Sequence, residues 1–417
     1  MEKPGPFSLI TMKTNPSLLI RIIVFLLVLA FASGIAALGA DPVSGQPVTI
    51  RSACGDTTKP VVLGVEGNGW LEQRAGNLVL HISGTPYEMG YQQGVLLRPQ
   101  IQTLVLRLYA AGAAQALLDP KQPALARLKE AYQRCLPHIP KDVLEELRGL
   151  AAGTSMPLEQ ITTVNMIPEL FHCSGFALWG RATKDGVLYH GRILDYAMEL
   201  GYHNYACLIV ARPQGKHAFI NVGYTGFVGS VTGTNDQQVS FGEMGGRGEG
   251  LWDGMPMAFL MRKGLEEAGS LEDGLRIFRD TPRTCEYYYV ISDAKIPDAR
   301  GLATRPDKFL VLKPGEPHPD LPTPVGILDA VLMSGPERFE LLAQRTIQNY
   351  GKFDGPAGLA LMRRPVAMKS CIHAALFAPK LGKLWVANAI GATPASECPY
   401  TEYDIRELLA AKNPKAQ

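Results

Sequence analysis

Cys173-Ser174-Gly175-Phe176-Ala177-Leu178-Trp179-Gly180-Arg181-Ala182-Thr183-Lys184-Asp185-Gly186-Val187-Leu188-Tyr189-His190-Gly191-Arg192-Ile193-Leu194-Asp195-Tyr196 reads as one β-hairpin. A strand opens at the cysteine, Lys184-Asp185-Gly186 makes the turn, and the returning strand ends in Arg192-x-x-Asp195. Such a hairpin returns a guanidinium and a carboxylate to the sulfur. A thiol acts as a nucleophile only beside an oriented base and a positive neighbour, so the juxtaposition is chemically meaningful. Each part has a plainer reading. A cysteine that opens a strand is commonly a buried core residue, and an Arg/Asp pair three apart is commonly a surface bridge.

Upstream of the hairpin the pattern is helical. Asn77–His81 reads as a short strand leading into Gly84-Thr85-Pro86-Tyr87-Glu88-Met89-Gly90-Tyr91-Gln92-Gln93-Gly94. Apolar residues then recur every three or four positions over 97–118, 122–135 and 140–152, and a further helix follows Pro157. Downstream the period falls to two, with strands expected at 205–212, 217–223, 227–233 and 238–243. Two helices follow, Asp253–Ala268 and Leu271–Arg279, the second capped by Ser270. Strands return at Glu286–Ser292 and Lys308–Leu312. Ser334-Gly335-Pro336-Glu337 reads as a capping box opening a helix to about Asn349. Strands at 373–378 and 383–388 and a short helix from Glu402 close the chain. Strands, paired helices and strands again predict an α+β fold layered α/β/β/α.

The 417 residues suffice for one large or two ordinary domains. The 41 basic and 39 acidic side chains form no basic block, which argues against a nucleic-acid partner. Lys3, Lys13 and Arg21 precede the uncharged run Ile22–Ala40, and Ala37-Leu38-Gly39 supplies small residues at cleavage spacing. Residues 1–40 therefore read as a signal peptide, or as a retained anchor giving membrane association through residues 18–40. Either places the body outside the cytoplasm. Residues 41–77 read as an N-terminal extension. The seven cysteines permit disulfides in an exported chain, and the odd count leaves at least one thiol free, Cys173 being the best candidate. The others also suit small buried hydrophobes. No His-Glu-x-x-His, Cys-x-x-Cys, phosphate loop or Gly-x-Ser-x-Gly elbow is present, and the histidines are dispersed, so neither metal nor cofactor is expected.

The segment Cys173–Tyr196, with its Asp-Gly turn and Gly191-Arg192-Ile193-Leu194-Asp195-Tyr196, resembles the N-terminal-nucleophile hydrolases. The resemblance is to the cysteine group whose namesake is the acyl-CoA:isopenicillin-N acyltransferase. Gly84–Gly94, Leu147–Gly153, Asn165, Glu169-Leu170, Gly233-Thr234-Asn235 and His373–Pro379 also match in order, so the resemblance covers roughly residues 78–412. It implies a four-layer αββα sandwich and a precursor that cuts itself between His172 and Cys173. A mostly helical α-subunit or pro-segment (78–172) would then pair with a catalytic β-subunit (173–417). The cut frees an α-amine, of unperturbed pKa ~8, on the residue that carries the thiol. By the same resemblance Arg192 orients the new terminus and stabilises negative charge, while Asp195 holds the amine and fixes Arg192. The implied chemistry is hydrolysis or transfer of an acyl group from a small-molecule amide through a Cys173 thioester.

The chain departs from the family at two points. Ile193 replaces the usual Asn, on the strand's other side. No side-chain amide stands at Phe241-Gly242-Glu243-Met244-Gly245-Gly246, where relatives place an oxyanion donor, so backbone N–H groups such as that of Gly245 would serve. Glu243 is then a pocket or acid/base candidate, or a solvated strand end. Arg283 and Glu286, in Arg283-Thr284-Cys285-Glu286-Tyr287-Tyr288-Tyr289, either line an acyl pocket or belong to a plain amphipathic strand. Arg338 either binds a carboxylate substrate or faces solvent. Two alternatives remain: a ceramidase-like or phospholipase-B-like lipid hydrolase, and a catalytically silent, envelope-associated binding protein.

Overall fold

The computed structural model describes residues 48–53, 59–167, 172–245, 249–317 and 326–414. The leader read at residues 1–40, Cys54 and Glu169-Leu170 lie outside them. The described residues form seventeen strands. The first eight are β1 (Ile50–Ser52), β2 (Val61–Glu66), β3 (Gly69–Arg74), β4 (Asn77–Gly84), β5 (His172–Gly180), β6 (Gly186–Asp195), β7 (Ala206–Pro213) and β8 (Phe219–Tyr224). Then come β9 (Thr232–Asn235), β10 (Val239–Gly245), β11 (Tyr287–Asp293), β12 (Asp298–Arg305), β13 (Lys308–Leu312), β14 (Ala330–Met333), β15 (Cys371–Ala378), β16 (Lys383–Asn388) and β17 (Tyr400–Asp404). The helices are α1 (Pro86–Leu96), α2 (Arg98–Leu118), α3 (Ala124–Cys135), α4 (Lys141–Thr154) and α5 (Leu158–Asn165) before the hairpin. After it come α6 (Met257–Glu267), α7 (Leu271–Asp280), α8 (Pro336–Gln348), α9 (Gly355–Leu361) and α10 (Ile405–Ala410).

The hairpin forms as its sequence dictates. Gly186 takes the positive φ (71°) that ends the turn, and the Asp185 carboxylate accepts from the Val187 N–H at 3.1 Å. Cys173 pairs with Leu194 and Gly175 with Arg192. The pleat then sorts the side chains. Phe176, Leu178, Tyr189 and Ile193 pack against Phe339 and Leu342 of α8 and Leu359 of α9, whereas Cys173, Ala177, Leu188 and Leu194 join the core shared with Phe241 and Met244 of β10.

β5 and β6 sit inside a seven-stranded sheet of order β1-β17-β16-β15-β6-β5-β14, and the larger sheet has ten strands, β13-β12-β11-β10-β9-β8-β7-β4-β3-β2. The two meet face to face, with Val79, Val210 and Ile220 of the larger packed on Ala375, Phe377 and Leu384 of the smaller. Helices α8 and α9 cover the smaller sheet. Helices α6 and α7 cover the larger, Phe278 stacking on Phe241 at 6.0 Å. The result is a mixed α+β fold of two sheets between helices.

Several expectations need correction. Residues 61–74 form β2 and β3, so the larger sheet begins inside the segment read as an extension. Residues 227–231 form a loop, and only Thr232–Asn235 is strand. Ser334 does not cap α8: Gly335 occupies the cap position, and the Ser334 hydroxyl lies 2.6 Å from that of Ser174. The expected cap at Ser270 does form, its Oγ accepting from the Asp273 N–H at 3.2 Å. Strands β12 and β14 and helix α9 add to the elements read from sequence. Among the described residues, α2 is long and apolar enough to cross a membrane by length and composition, and Ile101, Leu104, Val105 and Leu108 pack its inner side into the core.

Candidate active site

The hairpin register puts Cys173 and Arg192 on the same face of neighbouring strands, and Arg192 Nη2 donates to Cys173 Sγ at 2.9 Å. Strand β10 supplies the third group. Glu243 Oε2 accepts from the same Nη2 at 3.1 Å and lies 3.9 Å from the sulfur, while the Glu243 carbonyl accepts from Arg192 Nε at 3.0 Å. Both charged side chains are wholly buried. Taking two ions out of water is costly, and their close pairing offsets that cost.

The fourth group comes from β15, which lies beside β6. Arg192 Nη1 is 3.1 Å from His373 Nε2. Tyr224 on β8 and Thr232 on β9 hold the same imidazole, through Nδ1 and Nε2 respectively, each at 3.0 Å. His373 thus stands between Arg192 and the larger sheet. Burial, reinforced by the Arg192 charge, holds it well below the ordinary histidine range, so it is neutral.

Burial likewise pushes the Cys173 thiol far up. The Arg192 guanidinium pulls it back down, Glu243 and Asp195 push it up, and a hydrogen bond from the backbone N–H of Gly245 favours the thiolate. The sulfur is therefore a protonated, shielded thiol. It lies beside one cation, one carboxylate and one backbone donor.

Asp195 is placed differently from the expectation. Its hydrogen bonds go to Arg338 Nη1 and to the Met368 N–H (3.0 Å), so Glu243 and His373, not Asp195, fix Arg192. The reason is the pleat. Residues three apart on a strand point to opposite faces. Asp195 still lies close to Cys173, since it pairs with His172 across the ladder and Arg338 Nη2 donates to the Cys173 carbonyl at 3.2 Å. Burial raises the Asp195 carboxyl, against the pull of Arg338 and the Met368 N–H. Ile193 faces the outer core as expected.

Arg283 does not line the site. Its Nη1 donates to the carbonyls of Phe278 (2.6 Å), Arg279 (2.9 Å) and Thr281 (3.1 Å), which closes the end of α7, and its guanidinium lies over Phe309. Glu286 precedes Tyr287, the ladder partner of Gly245, and its carboxylate accepts from Tyr288 OH at 2.9 Å. Asn235 is the turn residue expected, and its Nδ2 also donates to the carbonyls of Leu265 (3.1 Å) and Ala268 (2.8 Å). His373, Tyr224, Thr232 and Arg338 carry the site without any local signal assigning them to it.

Among the described residues Cys173, Cys207, Cys371 and Cys398 are free thiols and are buried, as are Cys135 and Cys285. Among the described residues no group of three or more His, Cys, Asp or Glu side chains is placed to hold a metal ion.

No family model matches the chain. In sequence it is similar to the Dictyostelium discoideum protein dcd1B, at 28% identity over 301 residues, covering 64% of this chain and 59% of that one. It is similar to the acid ceramidase of Rattus norvegicus, at 27% identity over 223 residues, covering 46% of this chain and 52% of that one. A third relative is the N-acylethanolamine-hydrolyzing acid amidase of Rattus norvegicus, at 24% identity over 205 residues, covering 46% of this chain and 56% of that one. The chain spans little more than half the length of these relatives.

Proposed function

We propose that this chain is an exported cysteine amidohydrolase of the N-terminal-nucleophile type, which cuts itself between His172 and Cys173 and then hydrolyses an acyl amide through Cys173. The observation that carries the reading is the 2.9 Å contact from Arg192 Nη2 to Cys173 Sγ, with the Glu243 carboxylate and the Gly245 N–H beside the same sulfur. The cation and the backbone donor offset part of the cost that burial sets on the thiolate. A mere core cysteine needs no cation.

In the self-cleavage step the sulfur attacks the carbonyl carbon of His172. The C–S bond forms as the C–N bond breaks, and the thiol proton passes to the leaving α-amine of Cys173. Glu243, the carboxylate nearest the sulfur, takes that proton first, because no free amine exists before the cut. Water then hydrolyses the thioester and leaves His172 as a carboxylate. In turnover the freed α-amine accepts the thiol proton and delivers it to the leaving amine, and water resolves the acyl-enzyme. A second amine in place of water would make the same intermediate a transferase.

The relatives named above support a lipid amide as the substrate class, since one is a ceramidase and another hydrolyses N-acylethanolamines. Denaturing electrophoresis with N-terminal sequencing tests the proposal. Two fragments, the second beginning Cys-Ser-Gly-Phe, should merge into one chain in Cys173→Ala. An intact chain in both proteins would instead favour the silent binding protein.

A further inference from the structure

We infer that His373 is a positioning residue for the nucleophile: a neutral imidazole, aimed by Tyr224, that holds Arg192 against the sulfur of Cys173 without cancelling its charge. The inference rests on the function proposed above and adds a part that neither hairpin strand supplies.

Arginine has only donors, so the His373 Nε2 that lies 3.1 Å from Arg192 Nη1 must be the unprotonated nitrogen. The proton then sits on Nδ1 and is donated to Tyr224 OH at 3.0 Å. Tyr224 also stacks on the imidazole, with ring centroids 5.8 Å apart, so both the tautomer and the plane of the ring are set. The Thr232 hydroxyl, 3.0 Å from Nε2, shares the lone pair. His373, Thr232 and Arg192 are wholly buried, and no water competes for these bonds.

A neutral acceptor on this side has a specific consequence. A second carboxylate at position 373 would neutralise the guanidinium, which already faces Glu243, and would weaken its hold on a thiolate. A protonated imidazole would repel it. Arg192, Tyr224 and Cys371 are the titratable groups that touch this histidine, and Glu243 and Cys173 meet the far side of Arg192. The lowered basicity of His373 keeps it in the required neutral form.

The test compares His373→Leu, which removes the acceptor, with His373→Gln, whose side-chain oxygen can replace Nε2. The readouts are the rate at which the full chain forms its fragments and the pH profile of Cys173 alkylation by iodoacetamide, located by peptide mapping. His373→Leu should slow fragment formation by about tenfold or more and move the alkylation profile upward by about one pH unit. His373→Gln should stay within about threefold of wild type. Tyr224→Phe, nearly isosteric, should shift the profile in the same direction by less, and it decides the matter should His373→Leu fail to fold. Equal behaviour of the Leu and Gln variants, or an unmoved profile in Tyr224→Phe, would overturn the inference. A wild-type chain that never yields a Cys173 terminus would sink the proposed function instead, while the alkylation comparison would still decide the role of His373.

Discussion

Arg338, in the first turn of α8, holds the carboxylate of Asp195 while its other terminal nitrogen donates to the carbonyl oxygen of Cys173. One guanidinium therefore ties the end of β6 to the start of β5, at the peptide proposed to break. Asp195 is buried, and losing its cation leaves an uncompensated charge in the interior.

Arg338→Met should therefore cost about 3–5 kcal/mol and slow fragment formation. Adding Asp195→Asn should recover part of the stability without restoring the rate. Thermal melts and electrophoretic time courses of the two single variants and the double variant check this. Additive losses in the double variant would show that the pair is not coupled.

Glu243→Gln separates charge from shape at the site. The amide keeps an oxygen for Arg192 Nη2 but is no proton acceptor for a thiol 3.9 Å away. Fragment formation should fall by about a hundredfold or more, the usual scale for a lost general base. The uncut chain should accumulate in folded form. Cleavage at the wild-type rate would assign Glu243 to anchoring Arg192 alone.

The hairpin was legible because its information is local: a period of two, an Asp-Gly turn, and a register that follows from the turn. Glu243 was legible as a gap, a carboxylate where an amide was expected. His373 was not, because its contact with Arg192 exists only once β15 lies beside β6, 181 residues away in sequence. Arg283 misled for a related reason, since a polar residue before an aromatic strand reads the same whether it faces a cleft or closes a helix. Ser334 fits a cap pattern, yet its hydroxyl meets Ser174 on a neighbouring strand. Strands β2 and β3 escaped notice because β2 is a sheet edge whose Val61, Val62 and Leu63 face solvent, which leaves no alternation to read.

The glycines of the two helical motifs have a packing cause. A Cβ at Gly90 would stand 1.9 Å from the Glu146 carbonyl oxygen, and one at Gly149 would stand 2.1 Å from that of Tyr87. Helices α1 and α4 thus touch backbone to backbone, and no flexible side chain can yield. Gly90→Ala or Gly149→Ala should each destabilise by about 1–3 kcal/mol or more, despite the better helix propensity of alanine. Chemical denaturation measures the loss, and a gain in stability in either variant would refute the close approach.

Acid should unfold the protein through its buried histidines, with His190 the clearest case. Its Nδ1 lies 2.7 Å from Ser292 Oγ, its ring is wholly buried, and burial lowers its pKa from 6.5 to about 3. The folded state therefore binds its proton later than the unfolded state as pH falls. The sign follows from that: stability is full above the unfolded value and declines as pH drops below it, flattening only near the folded value. Each pH unit in that window costs about 1.4 kcal/mol for one such group, or roughly 2 kcal/mol by pH ~5. His81 and His373 are shifted in the same direction and steepen the decline. Melting temperatures from neutral pH down to about pH 4, compared between wild type and His190→Gln, should show a shallower acid limb in the variant. Parallel curves would mean that His190 does not titrate on unfolding.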